Sequence, residues 1–229
     1  MAPAQASVIA IDGPAASGKS TLARLLADAL AYLYFDTGLM YRAVTLAALE
    51  QGISPEDEQA VSQLATEMEI DVLPAPADGV PYRVLVGGED VTQRLRLPEV
   101  DANVSQVSAY QEVRRAMTYR QREIGQRGQV VMVGRDIGTV VLPDADLKIY
   151  LEASAEARAR RRFLEVQAKG ETATYQAILR AMKARDAFDS TRSIAPLRPA
   201  EDAVVLDTTN LSINATFERA LGLVKAPQT

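Results

Sequence analysis

Ile11-Asp12-Gly13-Pro14-Ala15-Ala16-Ser17-Gly18-Lys19-Ser20-Thr21 fits the pattern G-x-x-x-x-G-K-[ST] from Gly13 to Ser20. It stands where a short apolar stretch gives way to one rich in alanine and leucine. The first reads as a strand over 7–12 and the second as a helix over 19–31. Glycines at both ends let the backbone wrap a polyphosphate, so that successive amide N–H groups and the helix start face negative charge. Lys19 can then reach the outer phosphates, and the Ser20 hydroxyl can ligate magnesium. Gly13, Pro14, Ala15, Ala16, Ser17, Gly18, Lys19, Ser20 and Thr21 are therefore the expected nucleotide-binding segment.

Outward from this loop the chain alternates strands and helices. Residues 32–36 read as a second strand, and 37–51 as a helix carrying Leu39, Met40, Val44, Leu46, Ala47 and Leu49. A β-α-β-α order implies a parallel sheet. Ser54 reads as the N-cap of a further helix, with Pro55 at its first position, Asp57 in its first turn and its end near Met68. Short strands at 70–73, 82–86 and 90–92, separated by Pro74-Ala75-Pro76-Ala77-Asp78-Gly79 and by Gly87-Gly88, suggest a small antiparallel sheet. Residues 69–97 are thus expected to form an inserted lobe. Helices resume near 100–126, then come strands at 130–133 and 147–151, helices at 155–169 and 174–187, a strand at 203–206 and a closing helix at 212–224. The expected fold class is α/β, one domain over 1–229 with five strands in a central parallel sheet flanked by helices.

The chain has 229 residues, 48% apolar and 24% charged, enough for one complete core but crowded for two independent ones. A net charge of −5 argues against a duplex nucleic-acid binder, whose footprint is normally basic. There is no Cys and no His, hence no disulfide framework, thiolate metal site or imidazole base. Chemistry must rest on Asp, Glu, Lys, Arg, hydroxyls, backbone and a magnesium ion. No 18-residue apolar run occurs, and residues 1–6 lack the charged-then-apolar layout of a secretion signal, so no membrane association and a cytoplasmic protein are expected. A monomer is expected because no long exposed apolar stripe announces a partner.

A phosphate loop alone leaves the reaction open, so the other charges must decide. The guanine-reading pattern N-K-x-D of GTPases is absent. A small-molecule kinase needs one anion site for the ATP phosphates, another for the acceptor, and cations for the group in transfer. Asp36-Thr37-Gly38-Leu39-Met40-Tyr41-Arg42 puts a hydroxyl, a helix start and an arginine after the second strand. Gly134-Arg135-Asp136-Ile137-Gly138-Thr139 follows the strand at 130–133, at the carboxyl end where parallel sheets bind ligands. Arg158, Arg160, Arg161 and Arg162 crowd one segment, followed by Arg180, Arg185 and Arg192. Four adjacent arginines at helical spacing cannot all face one ligand. A solvated basic face explains Arg158 and Arg160 as well as a lid does; a helical hairpin closing over ATP would bring others of the set to the transferring group and exclude water.

Taken together, the loop, the Asp36-Thr37-Gly38 and Tyr41-Arg42 segment, Gly134 to Thr139, and Arg185-Asp186 with Asp189 and Arg192 resemble the bacterial cytidylate kinase family. The resemblance extends to Gly88-Glu89-Asp90-Val91-Thr92, Val104-Ser105-Gln106-Val107-Ser108 with Val113-Arg114, and Ile194-Ala195-Pro196-Leu197. It implies a P-loop nucleoside monophosphate kinase that passes the γ-phosphoryl group of ATP to CMP or dCMP, with magnesium. It implies a core at 1–36, 98–151 and 193–229, an NMP-binding region at 37–97 with the β insert at 69–97, and a helical lid at 154–192. By resemblance Thr37, Arg42 and Arg135 hold the acceptor phosphate. Ser105, Arg114 and Asp136 read the cytosine edge, and Arg185 and Asp189 hold the sugar. Lys19, Arg135, Arg161, Arg185 and Arg192 are the implied catalytic cations, with Ser20 on magnesium.

The chain departs from the family pattern in places. Ala16 stands where glycine is common, which is tolerable if its φ is negative. Phe188 stands where a further arginine is frequent, removing one lid cation, and the tip at 74–79 is longer than usual. Two other readings stay open on the residues: a kinase of UMP, AMP or a shikimate-type acceptor, and a nucleotide-dependent switch without phosphoryl transfer.

Overall fold

The computed structural model describes residues 6–75, 81–168, 170, 172–192 and 194–225. Residues 1–5 of the N-terminal stretch, 76–79 of the tip and Lys169 at the end of an expected helix lie outside the described residues. The elements run β1 (Val8–Asp12), α1 (Lys19–Leu30), β2 (Leu33–Asp36), α2 (Gly38–Glu50), α3 (Glu58–Glu67), β3 (Ile70–Pro74), β4 (Tyr82–Val86) and β5 (Glu89–Asp90). There follow α4 (Pro98–Val107), α5 (Gln111–Gln126), β6 (Val130–Val133), β7 (Leu147–Glu152), α6 (Ala155–Ala168), α7 (Tyr175–Thr191), β8 (Val204–Asp207) and α8 (Ile213–Lys225).

Five strands form a parallel sheet of order β2-β6-β1-β7-β8. In register, Ile9 of β1 faces Leu147 of β7, and Ile149 of β7 faces Val204 of β8. The central strands are apolar runs because helices cover both faces of a parallel sheet: all four residues of β6 and the first five of β7 are buried. By contrast β8, at the edge, has Val205 and Asp207 exposed. The chain divides into two compact units, Leu33–Val130 and the residues on either side of it.

In the unit built from the flanking residues, α1 buries Lys19, Leu22, Ala23, Leu26 and Ala27, the stripe of a helix with one covered face. α8 packs against α1, and α6 against α7. In the unit Leu33–Val130, α2 is buried along Leu39–Ala48 and packs on α4, while α3 packs on α5. The small antiparallel sheet has order β3-β4-β5, with Val72 opposite Val84.

Two local expectations change. The third small strand ends at Asp90 rather than reaching Thr92, because the Thr92 hydroxyl accepts the Val84 N–H at 2.9 Å and replaces the ladder bond. The helix expected to start at Ser54 starts at Glu58. Asp57 is its N-cap and accepts the Ala60 N–H at 3.0 Å, while the Ser54 carbonyl closes a separate turn by accepting the Asp57 N–H at 2.9 Å.

Candidate active site

The loop between β1 and α1 is shaped by two glycines and one alanine. Gly13 has φ +144°, and a β-carbon there would lie 2.2 Å from the Leu151 carbonyl oxygen, so the strand-to-loop exit admits only glycine. Gly18 has φ +96° and caps α1. Ala16 has φ +57°, so the condition of a negative φ under which alanine is tolerated there is not met. The turn needs left-handed backbone there, and alanine supplies it under strain.

Lys19 is buried, and its Nζ donates to the Pro14 carbonyl at 2.7 Å, so the ammonium is folded over the loop. Ser17 Oγ is buried without a hydrogen-bond partner. Ser20 is exposed in the first turn of α1. A cavity of about 300 Å³ opens beside the loop, lined among others by Gly18, Lys19, Thr21, Arg161, Thr208 and Leu211.

Arginines brace this loop from α6. Arg161 donates to the carbonyls of Ser17 and Thr208, and the Thr208 hydroxyl donates to the Ser17 carbonyl at 3.2 Å. Arg158 is 3% exposed. It donates to the Ala15 carbonyl at 3.1 Å, to the Ala153 carbonyl at 2.9 Å, and to both Asp186 oxygens of α7 at 3.1 and 2.5 Å. Arg158 and Arg161 sit three apart on one face, whereas Arg160 is exposed and Arg162 pairs with Glu165.

After β6 the chain makes one wide turn, Ile137–Val141, closed by bonds from Val141 N–H to the Asp136 carbonyl and from Leu142 N–H to the Ile137 carbonyl. Arg135 and Asp136 precede it. Arg135 Nε donates to Asp189 Oδ2 at 3.1 Å, and Arg185 Nε lies 3.9 Å from the same oxygen. Arg192 Nη2 stands 3.8 Å from Asp136 Oδ1. Arg135, Asp136, Arg185, Asp189 and Arg192 are thus brought together in one unit with the loop. Asp12, at the end of β1, is 5% exposed. Burial raises its carboxyl pKa to about 6, with the N–H groups of Gly138 and Ile137 holding it down, Asp136 raising it and Lys19 lowering it.

The unit Leu33–Val130 holds Thr37, Arg42, Ser105 and Arg114. Thr37 is buried at the N-cap of α2, where Asp36 Oδ1 accepts the Gly38 N–H at 3.0 Å. Arg42 donates to the Leu95 carbonyl at 3.0 Å and to Asp101 at 2.5 Å. Arg114 lies over the Tyr41 ring, 5.5 Å from its centroid, and donates to the Ser108 carbonyl at 3.2 Å. Ser105 is exposed on α4, and its carbonyl accepts the Ser108 hydroxyl at 3.0 Å.

Residues 9–226 match the family described as cytidylate kinase. The chain belongs to the cytidylate kinase family. It is 49% identical to the cytidylate kinase of Limosilactobacillus reuteri, covering 96% of each chain. It is 56% identical to that of Chloroflexus aggregans over 86% of this chain and 85% of the other. Among solved structures, an uncharacterised protein from Eubacterium ventriosum superposes with a TM-score of 0.53 at 10% identity, covering 96% of this chain and 99% of that one, a likeness of fold.

Two residues of this cytidylate kinase family member escape the sequence reading. Arg158 reads equally well as a surface cation, yet it is buried and ties the loop to α7; its spacing of three from Arg161 was the available signal. Asp12 carries no expected role in the loop motif, although a carboxylate closing an apolar strand is itself a signal.

Proposed function

We propose that the chain transfers the γ-phosphoryl group of ATP in line to CMP or dCMP, giving ADP and CDP or dCDP. The observation that carries this is the pair of couples Arg135–Asp189 and Asp136–Arg192 in one unit with a phosphate loop and its buried lysine, in a member of the cytidylate kinase family. ATP takes the loop, where Lys19, the loop amides and the Ser17 hydroxyl meet its phosphates. The acceptor phosphate is itself the anionic nucleophile, so no general base is needed in a chain without histidine. Thr37, Arg42 and Arg135 hold that phosphate, and Arg185 and Asp189 hold the sugar. Arg161, Arg185 and Arg192 neutralise charge on the group in transfer. Residues 37–97 serve as the acceptor-binding region and 154–192 as the lid of a single kinase domain.

Among the described residues no three acidic side chains cluster as a metal cage. One exposed hydroxyl, Ser20, beside a polyphosphate site suits magnesium, which is commonly held by one or two protein ligands together with substrate phosphates and water. When bound there, magnesium supplies further charge neutralisation. Among the described residues no helix is long and apolar enough to cross a membrane. We place the activity in the cytoplasm, in a monomer that takes nucleotides rather than nucleic acid, in keeping with the acidic balance of the chain.

Base choice falls to Asp136, with Ser105 and Arg114. A carboxylate accepts from the exocyclic amine of cytosine, while uracil presents a carbonyl at that place and sets acceptor against acceptor. ADP formation measured with CMP, dCMP, UMP, AMP and no acceptor tests the reading. Fast turnover is expected with the first two alone. A preference for UMP contradicts the role of Asp136, and equal ADP release without acceptor indicates a hydrolytic switch instead. Lys19→Ala should lower kcat/KM by orders of magnitude with an unchanged circular dichroism spectrum.

A further inference from the structure

A helix turn begins with N–H groups that lack partners within the turn, and an aspartate at its N-cap ordinarily accepts one of them. Asp136 is the N-cap of the turn Ile137–Val141, yet its carboxylate makes no capping bond and stands near Arg192 instead. The cap comes from β1. Asp12 Oδ1 accepts the Ile137 N–H at 2.8 Å and Asp12 Oδ2 accepts the Gly138 N–H at 2.7 Å, across more than a hundred residues of sequence. A β-carbon at Gly138 would stand 3.2 Å from the Lys148 stem and in ordinary contact, at 3.5 Å, with Asp12 Oδ2, so Lys148 packs on the same turn.

We propose that Asp12 is a positioning residue for base recognition: by capping the Ile137–Val141 turn in place of Asp136, it turns the Asp136 carboxylate toward the acceptor base. This rests on the role given above to Asp136. Both Asp12 oxygens must accept, so only the ionised form serves. The charged and titratable groups around it are Lys19 from α1, Asp136 from the turn, and from β7 both Tyr150, its register partner, and Lys148, which packs on Gly138 and pairs with Asp202. With a pKa of about 6, the carboxylate is ionised at neutral pH and loses one acceptor on acidification through that value.

Asp12→Asn offers one acceptor and sets an amide donor against an N–H. It should lower the ratio of kcat/KM for CMP over UMP tenfold or more, with KM for ATP within about twofold of the parent. Loss of stability alone would leave that ratio unmoved. A ratio unchanged in Asp12→Asn overturns the inference. Asp136→Ala separates it from the reading beneath it. If that variant collapses the ratio while Asp12→Asn does not, Asp12 alone is misassigned; if it keeps the ratio, the role of Asp136 itself fails.

Discussion

At Ala16 the loop stores strain. A non-glycine residue in left-handed backbone carries roughly 1–2 kcal/mol of steric penalty, and Ala16 holds φ +57°. Glycine would remove the penalty but widen the unfolded ensemble, at about 0.4–1 kcal/mol. Ala16→Gly should therefore raise stability by up to about 1 kcal/mol, or ~2–4 °C in Tm for a chain of this length, read by scanning calorimetry. A lower Tm would mean that the loop relaxes around the alanine. The reverse exchange is closed at Gly13, where the Leu151 carbonyl occupies the space a side chain would need. Two positions three apart in one motif thus differ: Gly13 is demanded by a steric wall, while position 16 asks for backbone conformation alone.

At the scale of elements, α3 shows how two start signals share one segment. Ile53-Ser54 and Pro55 look like a helix entrance, but the Ser54 turn closes on the Asp57 N–H, and it is the Asp57 carboxylate that takes an orphan N–H of the helix, that of Ala60. Asp57→Ala should cost about 1 kcal/mol in urea unfolding, whereas Ser54→Ala should stay within ~0.5 kcal/mol; equal losses would return the cap to Ser54. The alternation of strands and helices is legible because valine and isoleucine runs, glycines and prolines are local signals. The order of motifs on them carried the family. What is not legible is pairing at a distance. Arg158 finds Asp186 across 28 positions and Asp12 finds Gly138 across 126, and neither residue announces its partner in sequence. The wide turn Ile137–Val141 is missed for the same reason, since its cap lies on another strand.

At the scale of the whole molecule, a chain of net charge −5 binds anions. In the proposed reading it does so with arginines that the fold holds against carboxylates: Arg42 on Asp101, Arg135 on Asp189, Arg192 near Asp136. Each pair limits repulsion among the cations and fixes their geometry, so less order has to be imposed when substrate binds. Binding to the folded state alone stabilises it by RT ln(1 + [L]/Kd), about 2.7 kcal/mol at a hundredfold excess over Kd. CMP at that excess should therefore raise Tm by roughly 5–10 °C. UMP at the same concentration, if held a hundredfold more weakly, adds only about 0.4 kcal/mol and a shift near 1 °C. Thermal unfolding followed by circular dichroism with each nucleotide, in the parent and in Asp136→Ala, reads this directly. Equal shifts by CMP and UMP in the parent would remove base discrimination from the binding step. A gap that closes in Asp136→Ala ties that discrimination to one carboxylate.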